Sequence, residues 1–205
     1  MAYTDNFDAY LNGETLDDQA NWTTGNISLQ VRVKAGNGAV WPTDNVDHMD
    51  AHIAGTYADN QYSQAVVKSN SGGFWGVCSR CASGTMDYYE YNCSSSGRYL
   101  NKKVSGSNTT LASTGTGASN TDVIRLECEG TTISPFLNGS PDGGISPQTD
   151  SAHSSGYAGL GGYGAGDGTN GNLDTWEGGD LGAAPPPSES IIPMVMHHRK
   201  MMGVS

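Results

Sequence analysis

The stretch ISLQVRVK (residues 27–34) alternates without a break: Ile27, Leu29, Val31 and Val33 fall on one side, Ser28, Gln30, Arg32 and Lys34 on the other. A two-residue repeat belongs to extended chain, so this segment is a strand with one dry and one wet face. The same signal returns at QYSQAVVK (61–68), GGFWGVCSR (72–80), MDYYEYNC (86–93), TDVIRLEC (121–128), TTISPFLNG (131–139), GYAGLGGYG (156–164) and LDTWEGGDL (173–181). Gly, Asn, Ser or Asp clusters bound each one, and nothing has a helical period. Roughly ten short strands, each with a face to bury, are most economically satisfied by two antiparallel sheets packed together. The expected fold is therefore all-β, a β-sandwich or jelly roll.

Composition agrees. The chain has 29 glycines in 205 residues, and each Gly inside a helix costs about 1 kcal/mol relative to Ala. The length suits a single sandwich core. Pro185, Pro186 and Pro187 offer no ladder donors, which divides the chain into a body, 1–182, and a proline-tethered C-terminal arm, 183–205. The net charge of −11 argues against a nucleic-acid partner, since phosphate recognition needs clustered Lys and Arg. No apolar run is long enough to cross a bilayer, so no membrane partner is expected. No basic and apolar N-terminal run resembles a signal peptide, which sets the expectation of synthesis in a cytosol.

The order of motifs resembles the concanavalin A-like lectin/glucanase superfamily, in particular the laminin-G-like jelly-roll domains of bacterial and phage proteins. The likeness is carried by DNFDAYLNGETL followed by Trp22, GTYADNQYSQAVVK, GGFWGVCSR with DYYEYN, LNKKVSG, DVIRLECEG with ISPFLNG, and SGYAGLGGYG followed by LDTWEGGDL. The resemblance implies two stacked curved sheets with the first and last strands as neighbours, which would set TDNFD beside LDTWE and bury Phe7 and Trp176. Members of the superfamily include carbohydrate binders, hydrolases and structural modules, so the fold leaves activity open.

Glycosidases of the superfamily carry closely spaced acids on one strand, because retaining chemistry holds two carboxyls roughly 5 Å apart. Here Glu90 stands among aromatics, and the three-residue spacing of Asp174 and Glu177 puts them on opposite faces of a strand. No catalytic pair is visible, and the chain reads as a non-enzyme. Sugar binding suits it better, with Trp75, Tyr88, Tyr89, Tyr91, Tyr99, Arg80 and Arg98 as ligand-binding candidates from one hairpin and its continuation. The competing reading is that several of these fill the core or stabilise cross-strand pairs. No cofactor is required; the resemblance allows calcium, with Asp5 and Asp174, and also Asp8 and Asp180, as hard oxygen ligands near the paired termini. Cys78-Ser-Arg-Cys81 has the spacing of half a zinc knuckle with nothing to complete it. In an oxidising exterior a Cys81–Cys93 disulfide across the hairpin mouth is the first expectation; otherwise the four cysteines are small buried apolar residues. His48, His52 and His153 read as surface histidines in loops or at strand edges.

The arm carries Ile191, Ile192, Met194 and Met196 around Pro193, then Arg199 and Met201. Such a peptide suits a groove or a sheet edge on a partner, so these residues are the partner-binding candidates. Body and arm together suggest a structural or adhesive subunit of a large assembly, foremost a phage virion protein (capsid decoration, head-fibre or tail-associated). It would be anchored through residues 185–205 to other virion proteins, homo-oligomeric, and open to a cell-surface glycan. The alternative is a free, extracellular carbohydrate-binding module or glycoside hydrolase.

Overall fold

The computed structural model describes residues 1–34, 37–42, 45–70, 73–164 and 173–182. The arm and its six partner-binding candidates lie outside the described residues. The strands in chain order are β1 (Ala2–Asp5), β2 (Trp22–Thr24), β3 (Gln30–Lys34), β4 (Asn37–Trp41), β5 (Asp47–His52), β6 (Gln61–Val67), β7 (Phe74–Cys81) and β8 (Tyr88–Cys93). Then come β9 (Arg98–Val104), β10 (Ser107–Thr114), β11 (Val123–Glu129), β12 (Thr132–Leu137), β13 (Ser140–Pro141), β14 (Gln148–Thr149), β15 (Tyr157–Tyr163) and β16 (Leu173–Asp180). One 3-10 turn, Leu16–Asp18, is the helical segment among the described residues.

These strands form two sheets. The first runs β13-β12-β11-β6-β16-β4-β3, with β1 also on β16 and β14 on β12; the second runs β10-β9-β8-β7-β15-β5-β2. Their ladders are antiparallel. As expected, the first and last strands are neighbours: Asp5 pairs with Trp176, and both Phe7 and Trp176 are fully buried.

Alternation in each strand decides what meets between the sheets. On β11, Ile124, Leu126 and Cys128 enter the core while Arg125 and Glu127 stay outside as an ion pair at 2.7 Å. From the other sheet come Trp75 and Val77 of β7, Tyr89, Tyr91 and Cys93 of β8, and Leu100 of β9. Each such side chain contributes about 1.5–3 kcal/mol of burial. The two sheets are also stitched by polar groups. Trp176 Nε1 donates to Ser63 Oγ at 2.8 Å, and Ser63 Oγ donates to the Gly159 carbonyl of the opposite sheet at 2.7 Å.

The connection from β12 in the first sheet to β15 in the second is pinned by buried side chains of β8 and β9. Arg98 Nε and Nη2 fork onto the Asp142 carboxylate at 2.8 and 2.7 Å, and Tyr91 Oη donates to the same group at 2.7 Å. Arg98 Nη1 donates to the Thr116 and Gly117 carbonyls, each at 2.8 Å. Further along, Tyr89 Oη donates to Asp150 Oδ1 at 2.6 Å, and Lys102 pairs with Asp150.

Three local expectations are corrected. Period two does not reveal β5, because the inward side of DHMDAH is entirely polar (His48, Asp50, His52), yet His48 and His52 are 0% and 4% exposed. His48 Nδ1 meets the Ser28 carbonyl at 3.0 Å, and His52 sits against Trp22 and Trp176 with centroids 5.2 and 4.9 Å away. His153 is half-buried, with Nε2 at 2.7 Å from the Lys103 carbonyl. Second, Asp174 and Glu177 share one face of β16. The register slips between them, with Thr175 at φ 49°, and this bulge resets the alternation. Third, the Cys81–Cys93 pairing is excluded by register: Cys93 lies opposite Trp75, six residues and so about 20 Å along β7 from Cys81. All four cysteines are free and buried.

Asp142→Asn leaves the Arg98 guanidinium buried with half its partner gone. Urea denaturation at pH 7 is expected to show a loss of about 3–5 kcal/mol, whereas a loss under 1 kcal/mol would remove this pair from its structural role.

Candidate functional site

The residues that face away from the core on the second sheet build an open pocket of about 370 Å³, within the ~300–1,000 Å³ range of small-molecule sites. Its position follows from the same period of two. On β8, Tyr89 and Tyr91 point inward, which turns Tyr88, Glu90 and Asn92 outward. On β9, Arg98 and Leu100 point inward, which turns Tyr99, Asn101 and Lys103 outward. Trp75 of β7 points inward and Phe74 outward.

One side of the pocket is aromatic. Phe74 packs edge-on against Tyr99 at 5.4 Å between centroids and against Tyr163 at 6.4 Å. Phe74 and Tyr99 are half-buried, and Tyr163 is 41% exposed. The floor and far side are polar, with Asp47, Glu90, Asn92, Asn101, Lys103 and Thr110. Lys103 forms an ion pair with Asp47 although its own side chain is only 3% exposed. Asn92 Nδ2 donates to Glu90 Oε2 at 2.8 Å, and Thr110 Oγ1 donates to Asn101 Oδ1 at 2.8 Å. Asn92 Oδ1 is buried and accepts no hydrogen bond from the described residues.

Glycine opens this floor. A Cβ on Gly161 of β15 would lie 2.8 Å from both Cys78 Sγ and Glu90 Oε1, so the Glu90 carboxyl rests over bare backbone. Burial pushes that carboxyl up to about 7, against the pull of Lys103; Asp47 pushes in the same direction as burial. Beside the pocket the outer face closes over: Met49, Ala51, Cys78, Cys81 and Tyr88 form a separate buried cluster with Met86 and Tyr157 packed on it.

Of the ligand-binding candidates Tyr99 lines this pocket, and the other six are elsewhere. Trp75, Tyr89 and Tyr91 lie in the core, and Tyr88 lies in the outer cluster. Arg98 holds Asp142, and Arg80 donates to the Asp59, His153 and Gly130 carbonyls. A ligand could reach the three core rings only by parting the sheets. The pocket is made by Tyr99 with Phe74, Glu90 and Asn92, sequence neighbours of the buried candidates, and Lys103 from a strand that the alternation did not reveal.

The candidate calcium ligands are each engaged by protein partners. Asp5 accepts from Phe7 N at 2.8 Å, from Trp22 Nε1 at 2.9 Å and from Tyr10 Oη. Asp174 pairs with Lys68 at 3.1 Å. Asp8 accepts from Gly38 N, and Asp180 from the terminal ammonium and Ala58 N. Among the described residues no three His, Cys, Asp or Glu side chains converge to hold a metal.

No protein-family model matches the chain, and no curated protein matches it. Solved structures do. The carbohydrate-binding module CBM66 from Bacillus subtilis superposes with TM-score 0.58 at 16% identity, over 78% of this chain and 92% of that one. The exoplasmic/lumenal domain of VIP36 in its Ca2+/Man3GlcNAc-bound form gives TM-score 0.54 at 10% identity, over 87% and 91%. The GH43 protein BlXynB from Bacillus licheniformis gives 0.52 at 12% identity, over 85% of this chain and 37% of that one. The fold is thus the concanavalin A-like jelly roll of two antiparallel sheets.

Two buried acids give the protein a pH signature. Glu90 and Asp50 are held up to about 7 and about 8, both by burial, the latter against hydrogen bonds from Leu29 N and Ser28 Oγ. The folded chain keeps protons there that the unfolded chain releases, so this contribution is complete below about pH 4 and is lost as pH rises through roughly 4 to 8. Asp142 acts oppositely. Burial pushes its carboxyl up, but Arg98, Tyr91 and Gly144 N outweigh it and hold it low, so its contribution is lost as pH falls below the usual carboxylate range. Urea midpoints should therefore decline from about pH 5 to pH 8.5, and Glu90→Gln should make that decline shallower by about 1–3 kcal/mol. An unchanged slope in the variant would exclude Glu90 as its source.

Proposed function

We propose that the chain is a non-catalytic glycan-binding domain whose ligand lies in the outer pocket of the second sheet. Sugar rings present an apolar C–H face and a rim of hydroxyls, and the pocket offers aromatic rings on one side and amide and carboxyl groups on the other. The observation that carries the reading is Asn92. Its Oδ1 is buried beside Glu90 in a polar pocket and accepts no hydrogen bond from the described residues, and an orphan acceptor of that kind costs about 1–3 kcal/mol until a donor arrives. The likeness to the carbohydrate-binding module CBM66 and to the Man3GlcNAc-bound VIP36 domain is consistent with it.

In this reading the domain serves a larger assembly, foremost a phage virion as decoration, head-fibre or tail-associated subunit. Residues 183–205 attach it, through Ile191, Ile192, Met194, Met196, Arg199 and Met201, and copies associate as a homo-oligomer. The support is the contrast in the chain itself: a self-contained acidic body and an apolar, net-basic peptide set off by three prolines. An extracellular binding module lacking that assembly is the alternative.

A second reading, glycoside hydrolysis, is favoured by one specific feature. The pocket holds two carboxyls, Glu90 and Asp47, and Glu90 keeps its proton near neutral pH as a general acid does. Release of reducing sugar from any glycan that binds, lost in Glu90→Gln, would establish it.

Glycan-array screening of the full chain is expected to give binders, and Tyr99→Ala to weaken them by roughly five- to thirtyfold, one aromatic contact being worth about 1–2 kcal/mol. Binding unchanged in Tyr99→Ala would move the site out of this pocket. Deleting residues 183–205 should leave a folded domain with the same glycan affinity that no longer joins its assembly; retained incorporation would refute the arm's role.

A further inference from the structure

We infer that the pocket sorts saccharides by charge, admitting uncharged ones and rejecting carboxylated or sulfated ones, with Glu90 as the specificity-determining side chain. The inference rests on the glycan reading of this pocket and adds to it the class of sugar.

The first argument is the charge inventory. Facing Glu90 are Asp47 from β5, Cys78 from β7, Tyr88 from β8 and Lys103 from β9. Burial raises the Cys78 thiol and the Tyr88 phenol, so both are uncharged at neutral pH. Lys103 is the cation of the pocket lining, and its ammonium is already engaged by Asp47. An incoming carboxylate or sulfate would meet two carboxyl groups and a cation that is taken. Its negative charge would also lie close to a buried site, where water screens poorly.

Hydrogen-bond polarity points the same way. One Asn92 Nδ2 hydrogen bond goes to Glu90, while Asn92 Oδ1 accepts none from the described residues. Asn101 Oδ1 is already satisfied by Thr110. The floor therefore presents an open acceptor that a ligand donor would satisfy. A hydroxyl donates and accepts, whereas a carboxylate or sulfate only accepts and would face Glu90 and Asn92 acceptor to acceptor. Nor can Glu90 withdraw toward β15, because its Oε1 already lies against Gly161, where even one added carbon would stand 2.8 Å away.

The discrimination carries a pH dependence. As pH falls through about 7, Glu90 takes a proton and becomes a donor, so the barrier to anionic ligands eases; above that it is complete.

The test uses the full chain and matched probes: neutral gluco-, galacto-, manno- and fructo-oligosaccharides against their uronic-acid and sulfated counterparts, titrated calorimetrically at pH 5.5 and 8.5. The expected result at pH 8.5 is a preference of about tenfold or more for the neutral member, like charges brought together costing over 1 kcal/mol, with a narrower ratio at pH 5.5. Glu90→Gln should narrow the ratio at pH 8.5 and remove its pH dependence. Should that variant misfold, the pair of wild-type titrations decides by itself. Equal or tighter binding of the acidic member at pH 8.5 would overturn the charge rule while leaving the glycan reading intact. Failure of every probe, neutral and acidic, would overturn both.

Discussion

The buried fork of Arg98 onto Asp142 is the contact on which the working face depends. With side chains 7% and 0% exposed, neither group can turn to water, so each tolerates burial only while the other stays in place. The pair, with Tyr91 donating to the same carboxylate, ties the start of β9 to the connection that crosses between the sheets. Once Arg98 and Leu100 are held inward, Tyr99, Asn101 and Lys103 have one direction left. A bond made inside the sandwich thereby sets the geometry of the surface outside it.

The pocket is correspondingly preorganised. Its aromatic side is three rings already in contact, and its polar side is a network in which Asn92, Glu90, Asn101 and Thr110 hold one another. Side chains restrained in the free protein lose little entropy if a ligand arrives. The buried Glu90 carboxyl is kept there at a cost in stability, and polar groups retained against stability are characteristic of sites rather than of scaffolding.

Much of the fold was legible in the chain. Strands with one apolar face, such as VIRLEC and QYSQAVVK, announce themselves by period two, and their bounding glycines and asparagines mark the turns. Motif order joined the first strand to the last, as Asp5 and Trp176 confirm. The illegible strands were those whose inward residues are polar. His48, Asp50 and His52 line the inner side of β5, and each is acceptable there only because a partner from a distant segment receives it, as Ser28 and Leu29 receive Asp50. In β16 a bulge at Thr175 broke the period itself, so counting residues placed Asp174 and Glu177 on opposite faces when they share one.

The site shows the same division. Local alternation determined that in FWGVCSR and YYEYN every second residue faces the core, and it located the hairpin around which the pocket is built. It could not say which half faces inward, since both halves are aromatic and polar in similar measure: Trp75, Tyr89 and Tyr91 look as fit for a surface as Phe74, Tyr99 and Glu90. Only packing against the first sheet and its connection decides it: on the inner side Tyr89 and Tyr91 find Asp150 and Asp142 for their hydroxyls, and Trp75 finds the apolar core. Sequence determines periodicity because periodicity is a property of neighbours along the chain. The choice of face belongs to tertiary structure, because it is made by the distant groups that pack against or hydrogen-bond to each side.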